Sequence, residues 1–387
     1  MRSRKSRRWP IATGVIAATA ALACGLSTAP AGADTGSGGI TIKEFAPFAT
    51  PASFPCEVAI DNNGNLWTDE FLGNGYGRVD PTTGAVREIK LPNAGGLPGG
   101  QNRGPNGDIW FVEGGGNALG VLHPDTETIS TIPFPWTNIG ADNLPLLSPL
   151  QNGLGIPFDD SWGRDGKIYF TLVGLNAIGS YDPATQQFEK FPIPTALAGP
   201  IAMEKGPGNL IAIAEGTANK IATFDVYTHQ WVEYPIPTPN SLPGGLTVSP
   251  DQQYIYFDET LNNKIGRIDL ATGQIKEYDL MALREQLLGD TLALANPLPN
   301  PGQLRFGSDG KLYFVEGTFT GGGRIGQLDV NTSEFHEYNT PTPLSSPCDL
   351  NNTVPGRIYF GEFTGNRIGY FDIPNTVDVS STFPLYG

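Results

Sequence analysis

Five residues of this chain combine acid–base or anion-binding chemistry with positions that set them apart: Glu57, Asp159, Asp349, Arg103 and Arg305. One phrase of sequence recurs seven times, near residues 66, 109, 168, 211, 255, 312 and 358, and the three acids hold the third position of the segment leading into it. Other copies place Gly100, Gly245 or Gln303 there, and the fourth copy aligns ambiguously, so these carboxyls are not what the repeat shares. Like charges held together raise the proton affinity of one member, which a general acid or base requires near neutral pH. Glu57 in the first copy and Asp349 in the last become neighbours if the copies close into a ring. Arg103 and Arg305, without counterparts in the other copies, could hold an anionic group of a substrate, or could neutralise structural carboxylates.

A second set of acids belongs to the repeat itself. Six copies end their aromatic segment on a glutamate, Glu70, Glu113, Glu215, Glu259, Glu316 and Glu362, while the third has Leu172. Carboxylates near a channel mouth could attract a divalent cation, magnesium or calcium, and Glu70 and Glu362 are the expected ligands. A residue present in six copies could equally accept hydrogen bonds between neighbouring units. The two cysteines of the mature chain, Cys56 and Cys348, occupy the same repeat position in the first and last copies, so a disulfide between them would fasten the ends of a circle. In the chain-entropy view that closure contributes on the order of 4 to 5 kcal/mol. A thiol metal site lacks a third soft ligand nearby. No nucleophilic elbow, phosphate loop or zinc motif occurs, and His123, His229 and His336 fall at or beyond the outer turn of their repeats.

The elements that must position these groups are short strands. Leu66-Trp67, Ile109-Trp110-Phe111, Ile168-Tyr169-Phe170, Ile211-Ala212-Ile213, Ile255-Tyr256-Phe257, Leu312-Tyr313-Phe314 and Ile358-Tyr359-Phe360 are β-branched and aromatic runs between turn residues. A strand opening on Pro or Gly precedes each (strand a before strand b). Strand c follows, as in Asn263-Lys264-Ile265-Gly266, and ends at a turn Asp; strand d alternates polar and apolar residues, as in Glu233-Tyr234-Pro235-Ile236. Four antiparallel strands in each of seven copies predict an all-β, seven-bladed β-propeller spanning residues 34–387 as a single domain. Ile40 to Phe45 reads as a spare strand d that would complete the last blade. Long segments at 136–156 and 280–300, the latter with a helix-like stretch over 280–295, would gather on one face, where they could grip a small-molecule or oligosaccharide ligand or plug the channel.

Residues 1–33 read as a signal peptide: Arg2, Arg4, Lys5, Arg7 and Arg8 precede an apolar run that ends near Ala31-Gly32-Ala33. The Arg7-Arg8 pair partly matches a twin-arginine signal, and Ala21 to Cys24 departs from a lipoprotein box. A secreted or extracellular monomer is expected, with no later apolar run long enough to span a bilayer. The leader's five cations come off a chain of formal net charge −15, leaving −20 for residues 34–387 and arguing against nucleic acid and anionic membranes as partners. With Gly 50, Pro 34 and 39% hydrophobic residues, the composition fits a turn-rich β protein rather than a disordered chain.

The phrases Gly64-Asn65-Leu66-Trp67, Tyr256-Phe257-Asp258-Glu259, Asn263-Lys264-Ile265-Gly266-Arg267-Ile268-Asp269 and Lys276-Glu277-Tyr278 resemble those of the streptogramin lyase, or virginiamycin B lyase, family of seven-bladed propellers, over about residues 40–387. The resemblance implies elimination across an ester C–O bond of a cyclic depsipeptide. It also implies magnesium, a histidine just after the Pro that starts a strand a, and a Glu-x-His at the end of a strand b. Here the first position holds Cys56, Gly99, Phe158, Pro200, Gly244, Gly302 or Cys348, and the residues two beyond the glutamates are Leu72, Gly115, Thr217, Leu261, Thr318 and Thr364. Neither histidine is present. The expectation is therefore a lyase on a C–O bond of an ester, lactone or uronic-acid-type substrate using Glu57, Asp159 and Asp349 instead; the alternative is a non-catalytic extracellular ligand-binding propeller.

Overall fold

Each repeat folds around its most apolar segment. Strand b is buried from end to end in Leu66–Glu70, Ile109–Glu113, Ile168–Leu172 and Leu312–Glu316, because its sheet is covered on both faces by neighbouring sheets. The aromatic side chains of strand b lie across a glycine of strand c: a Cβ on Gly266 would come within 2.0 Å of the Phe257 ring. In the computed structural model, residues 39–136, 155–288, 298–317 and 322–374 are described. The predicted leader, most of the 136–156 segment and residues 289–297 lie outside them.

Seven four-stranded antiparallel sheets form among the described residues, the β-propeller that the repeat predicts. Six follow the order a-b-c-d. The seventh takes its outer strand from the other end of the chain: Ile42–Glu44 pairs with Arg367–Asp372, Ile42 opposite Phe371 and Glu44 opposite Gly369. Cys56 and Cys348 form a disulfide between the inner strands of blades one and seven, with Cα atoms 4.9 Å apart across 292 residues of sequence. The core lies between blades. Tyr169 and Ile178 of blade three, for example, pack with Met203, Ile211 and Phe224 of blade four, each large side chain contributing roughly 1.5 to 3 kcal/mol by leaving water.

Every inner strand begins in the same way. The residue before its Pro has a left-handed backbone in all seven blades: Phe54 (φ 59°), Leu97 (50°), Ile156 (49°), Gly199 (62°), Leu242 (52°), Asn300 (39°) and Ser346 (49°). Its carbonyl accepts from the b-to-c loop, as from Gly114 N at 3.0 Å and Phe363 N at 2.9 Å, so linkers and b-to-c loops share one face. The helix expected in the long segment after blade five is Leu280–Leu288. It packs on strand d of blade six and drives Arg284, fully buried, against Glu337, with Nε 2.9 Å from Oε2.

Candidate functional site

The inner strands pack side by side around the axis, and β-bulges near the start of those in blades one, two, four, six and seven shift the register of the residues that follow the Pro. In blade one the register shifts between Pro55 and Val58, so Glu57 sits in the bulge; in blade seven the shift between Pro347 and Leu350 does the same for Asp349. Strand b holds the start of the inner strand from behind in blades one and three. Asp69 Oδ1 accepts from Glu57 N at 2.7 Å and Cys56 N at 3.3 Å, and Thr171 Oγ1 accepts from Phe158 N at 3.0 Å and Asp159 N at 3.1 Å.

Two tiers of side chains result. Glu57, Asp159 and Asp349 form the upper one, at the third position; Arg305 and Glu204, at the fifth, lie about 7 Å further down the strands. Arg305 joins the tiers: its Nη2 is 3.3 Å from Glu204 Oε2 and 3.7 Å from Asp349 Oδ1, while its Nη1 donates to Leu246 O at 3.0 Å and Leu304 O at 2.9 Å. Glu57 Oε2 accepts from Gln101 N at 2.6 Å, and Asp159 Oδ2 from Met203 N at 2.8 Å, so each of these acids also ties its blade to the next.

The electrostatics follow from four carboxyls sharing one guanidinium. Burial, then Asp159 and Asp349, pushes Glu57 well above the usual carboxylate range. Burial carries Asp159 up to about 7 against the bonds from Met203 and Asp160, and raises Asp349 and Glu204, with Arg305 opposing both. Burial alone would depress Arg305, but Asp349, Glu204, Glu57 and Asp159 hold it more firmly protonated. At neutral pH such a cluster keeps at least one carboxyl in the acid form beside others able to accept a proton.

The structure thus brings Glu57, Asp159, Asp349 and Arg305 together. Arg103 stands apart, at the far end of its strand, hydrogen-bonded to Asn62 in the a-to-b turn of blade one. Glu70 and Glu362 are wholly buried inside their own blades: Glu70 Oε2 is 3.3 Å from Lys90 Nζ, and Glu362 Oε2 is 3.9 Å from Arg367 Nε. Among the described residues no three His, Cys, Asp or Glu side chains are grouped to hold a metal ion. In the channel a guanidinium already stands among the carboxyls, so the donor set there does not fit a divalent cation.

Glu204 is the member that sequence reasoning missed. Pro200 pairs with Glu215 as Pro55 pairs with Glu70, so the fourth copy starts at Pro200 rather than Gly199, and Glu204 falls at the fifth position like Arg305. Counting from the Pro would have found it. The same correction puts Ile201, not Pro200, at the position after the strand start, where the resemblance called for histidine.

Residues 149–287 match the model of the virginiamycin B lyase family. The chain resembles virginiamycin B lyases. Their fold is the one found here: the selenomethionine-substituted virginiamycin B lyase from Staphylococcus aureus is 22% identical, with TM-score 0.71 over 86% of this chain and 99% of that one. A streptogramin B lyase structure is 24% identical, with TM-score 0.70 over 86% and 98%. A catalytically inactive histidine-to-alanine variant of the S. aureus virginiamycin B lyase, with quinupristin, is 22% identical, with TM-score 0.71 over 86% and 99%. No curated protein sequence matches the chain. The three histidines of this chain lie away from the channel cluster, His123 beside Asp108, His229 in an outer turn and His336 beside Glu334.

Proposed function

We propose that this protein is an exported propeller that binds a small ester or lactone at its channel mouth and opens it by elimination across a C–O bond, using carboxyls one position beyond those where the resemblance implies histidine. The observation that supports this is the convergence of Glu57, Asp159, Glu204 and Asp349, from four blades, on Arg305 of a fifth. Asp349, 3.7 Å from Arg305 Nη2, takes the proton on the carbon next to a carbonyl. The electrons of that C–H bond form the new C=C as the C–O bond breaks, and Glu57, held in its acid form, gives its proton to the departing oxygen. Arg305 stabilises negative charge developing on the carbonyl oxygen. Asp159, bonded to two main-chain N–H groups, positions blade four rather than moving a proton.

A second reading, a binding propeller without turnover, is favoured by one observation: Glu57 and Asp159 already accept main-chain hydrogen bonds across blade seams. The two are separated by assaying the mature chain against a panel of esters, lactones and uronic-acid oligosaccharides, following the absorbance of the new alkene and the melting temperature in parallel. The lyase reading expects Glu57→Gln to lower kcat by about 100-fold or more with the melting temperature unchanged. Compounds that raise the melting temperature without being consumed support the binding reading instead.

A further inference from the structure

The mouth above the carboxyls is apolar on one side. Phe158 opens blade three, Leu197 lies in the linker to blade four, Leu242 in the linker to blade five, Leu261 in the b-to-c loop of blade five and Leu298 in the linker to blade six; all are exposed, Leu197 by 84%. They share a face because each b-to-c loop is bonded to its linker, as Thr217 N to Ala198 O at 3.1 Å and Leu261 N to Ser241 O at 3.1 Å. A single exposed leucine is ordinary, but an arc of five over consecutive blades marks a contact surface. Leu197 (φ 57°) and Leu242 (φ 52°) are also held in left-handed backbone, which is unfavourable for bulky residues and is tolerated where the surrounding loop imposes it.

Below the arc, the channel is built of acceptors. Asp69 Oδ2, Gln303 Oε1 and Asp349 Oδ1 are buried without a hydrogen-bond donor among the described residues, although Asp69 and Asp349 are themselves more than nine-tenths buried. Asp349 Oδ1 has only the longer ionic contact to Arg305, and Glu204 remains partly open to solvent. An anionic ligand would meet four carboxyls, with Arg305 Nη1 already bonded to Leu246 O and Leu304 O and Lys205 the further cation beside Glu204. An ammonium group brings three donors and the charge the cluster lacks.

We infer that the apolar arc and the channel together bind an apolar molecule carrying a protonated amine, its hydrocarbon body on Phe158, Leu197, Leu242, Leu261 and Leu298 and its ammonium directed toward Glu204, in the field that Asp349 reinforces. The inference rests on the reading above that the channel mouth is the ligand site, and it narrows the ligand class.

The test is calorimetric titration of the mature chain with three probes of one shape: 4-phenylbutylamine, 4-phenylbutan-1-ol and 4-phenylbutanoate. The amine should bind about tenfold more tightly than the alcohol, and the carboxylate most weakly. Glu204→Gln should remove about tenfold of the amine's affinity and leave the alcohol unchanged, with Asp349→Asn as the second variant should the first not fold. Leu197→Ser with Leu261→Ser should weaken amine and alcohol alike. Equal or tighter binding of the carboxylate, an amine preference untouched by both channel variants, or no binding of any probe would each overturn the inference. Amine preference without turnover of any ester leaves it standing and sinks only the lyase reading; turnover without amine preference does the reverse.

Discussion

In blade four Glu215 on strand b and Glu233 on strand d share Lys220, whose Nζ is 2.8 Å from Glu233 Oε2, and blade five repeats this with Glu259, Glu277 and Lys264 at 2.9 Å. In the channel, four acids from four blades share Arg305 of a fifth. The first arrangement is complete within one blade and fastens the incoming linker: Glu233 accepts from Thr195 N at 3.0 Å and its hydroxyl at 2.8 Å, and Glu44 does the same for Thr342 at 2.6 and 2.7 Å. The second exists only once the ring has closed, and its charge is not balanced. Repetition therefore separates two uses of buried carboxyls. A pair that brings its own cation is architecture; a cluster that pools acids around one cation has affinity left for a ligand. Blade three, with Leu172 and Lys190 in place of the pair, shows that one sheet can omit the device when aromatic packing around Phe134 and Phe170 replaces it.

The comparison breaks most visibly in blade six, where the helix adds Arg284 to Glu316, Glu337 and Arg324. Arg284→Met should cost about 3 to 5 kcal/mol in denaturant unfolding, since it strands buried carboxylates, yet leave ligand affinity unchanged. A change in affinity would show that the two sets of acids are coupled. Next in size is the pH response. Burial and the facing Glu88, Glu233 or Glu44 raise Glu70 and Glu215 to about 7 and Glu362 to about 9, and burial and Glu277 raise Glu259 to about 7. Acids that hold protons more tightly when folded stabilise below their unfolded pKa, and that stability is lost as pH rises through the folded values. Glu88, held low by Thr50 and Glu70 hydrogen bonds, and Glu233 and Glu277, held low by Lys and Thr hydrogen bonds, all despite partial burial, oppose this only on the acid side. The melting temperature should therefore be highest near about pH 5 and fall toward about pH 9, and Glu215→Gln should flatten part of that alkaline limb. A flat profile would mean the pairs do not hold protons. The smallest effect expected is for Thr195→Val, about 1 kcal/mol from the hydroxyl bond to Glu233, read as a shift in denaturant midpoint with catalysis and probe binding unaltered.

Much of the fold was legible because it is local and repeated. The aromatic strand b, the turn Asp and the Pro that opens strand a each carry their reason within a few residues, and the spare strand over Ile40 to Phe45 is found pairing in blade seven as Ile42–Glu44. The site was less legible. Asp159 and Asp349 could be singled out as departures from the repeat, but Glu204 escaped because a one-residue difference in where the fourth copy starts decides which tier a residue joins. Arg103 looked equivalent to Arg305, yet it lies one place further along its strand and ends beside Asn62. That Arg284 would be drawn under blade six could not be read from a stretch of helix-forming residues.

By itself the sequence determined the seven blades, the closing strand and the disulfide between Cys56 and Cys348, because hydrogen-bonded strands and turns are specified by neighbours and a ring needs only that each copy repeat the last. Tertiary structure alone decided that residues 57, 159, 204, 305 and 349 would share one charge. Depth along the axis depends on bulges and on pairing register, and proton affinity depends on how many carboxyls the closed ring buries around Arg305, and neither quantity is carried by any single copy.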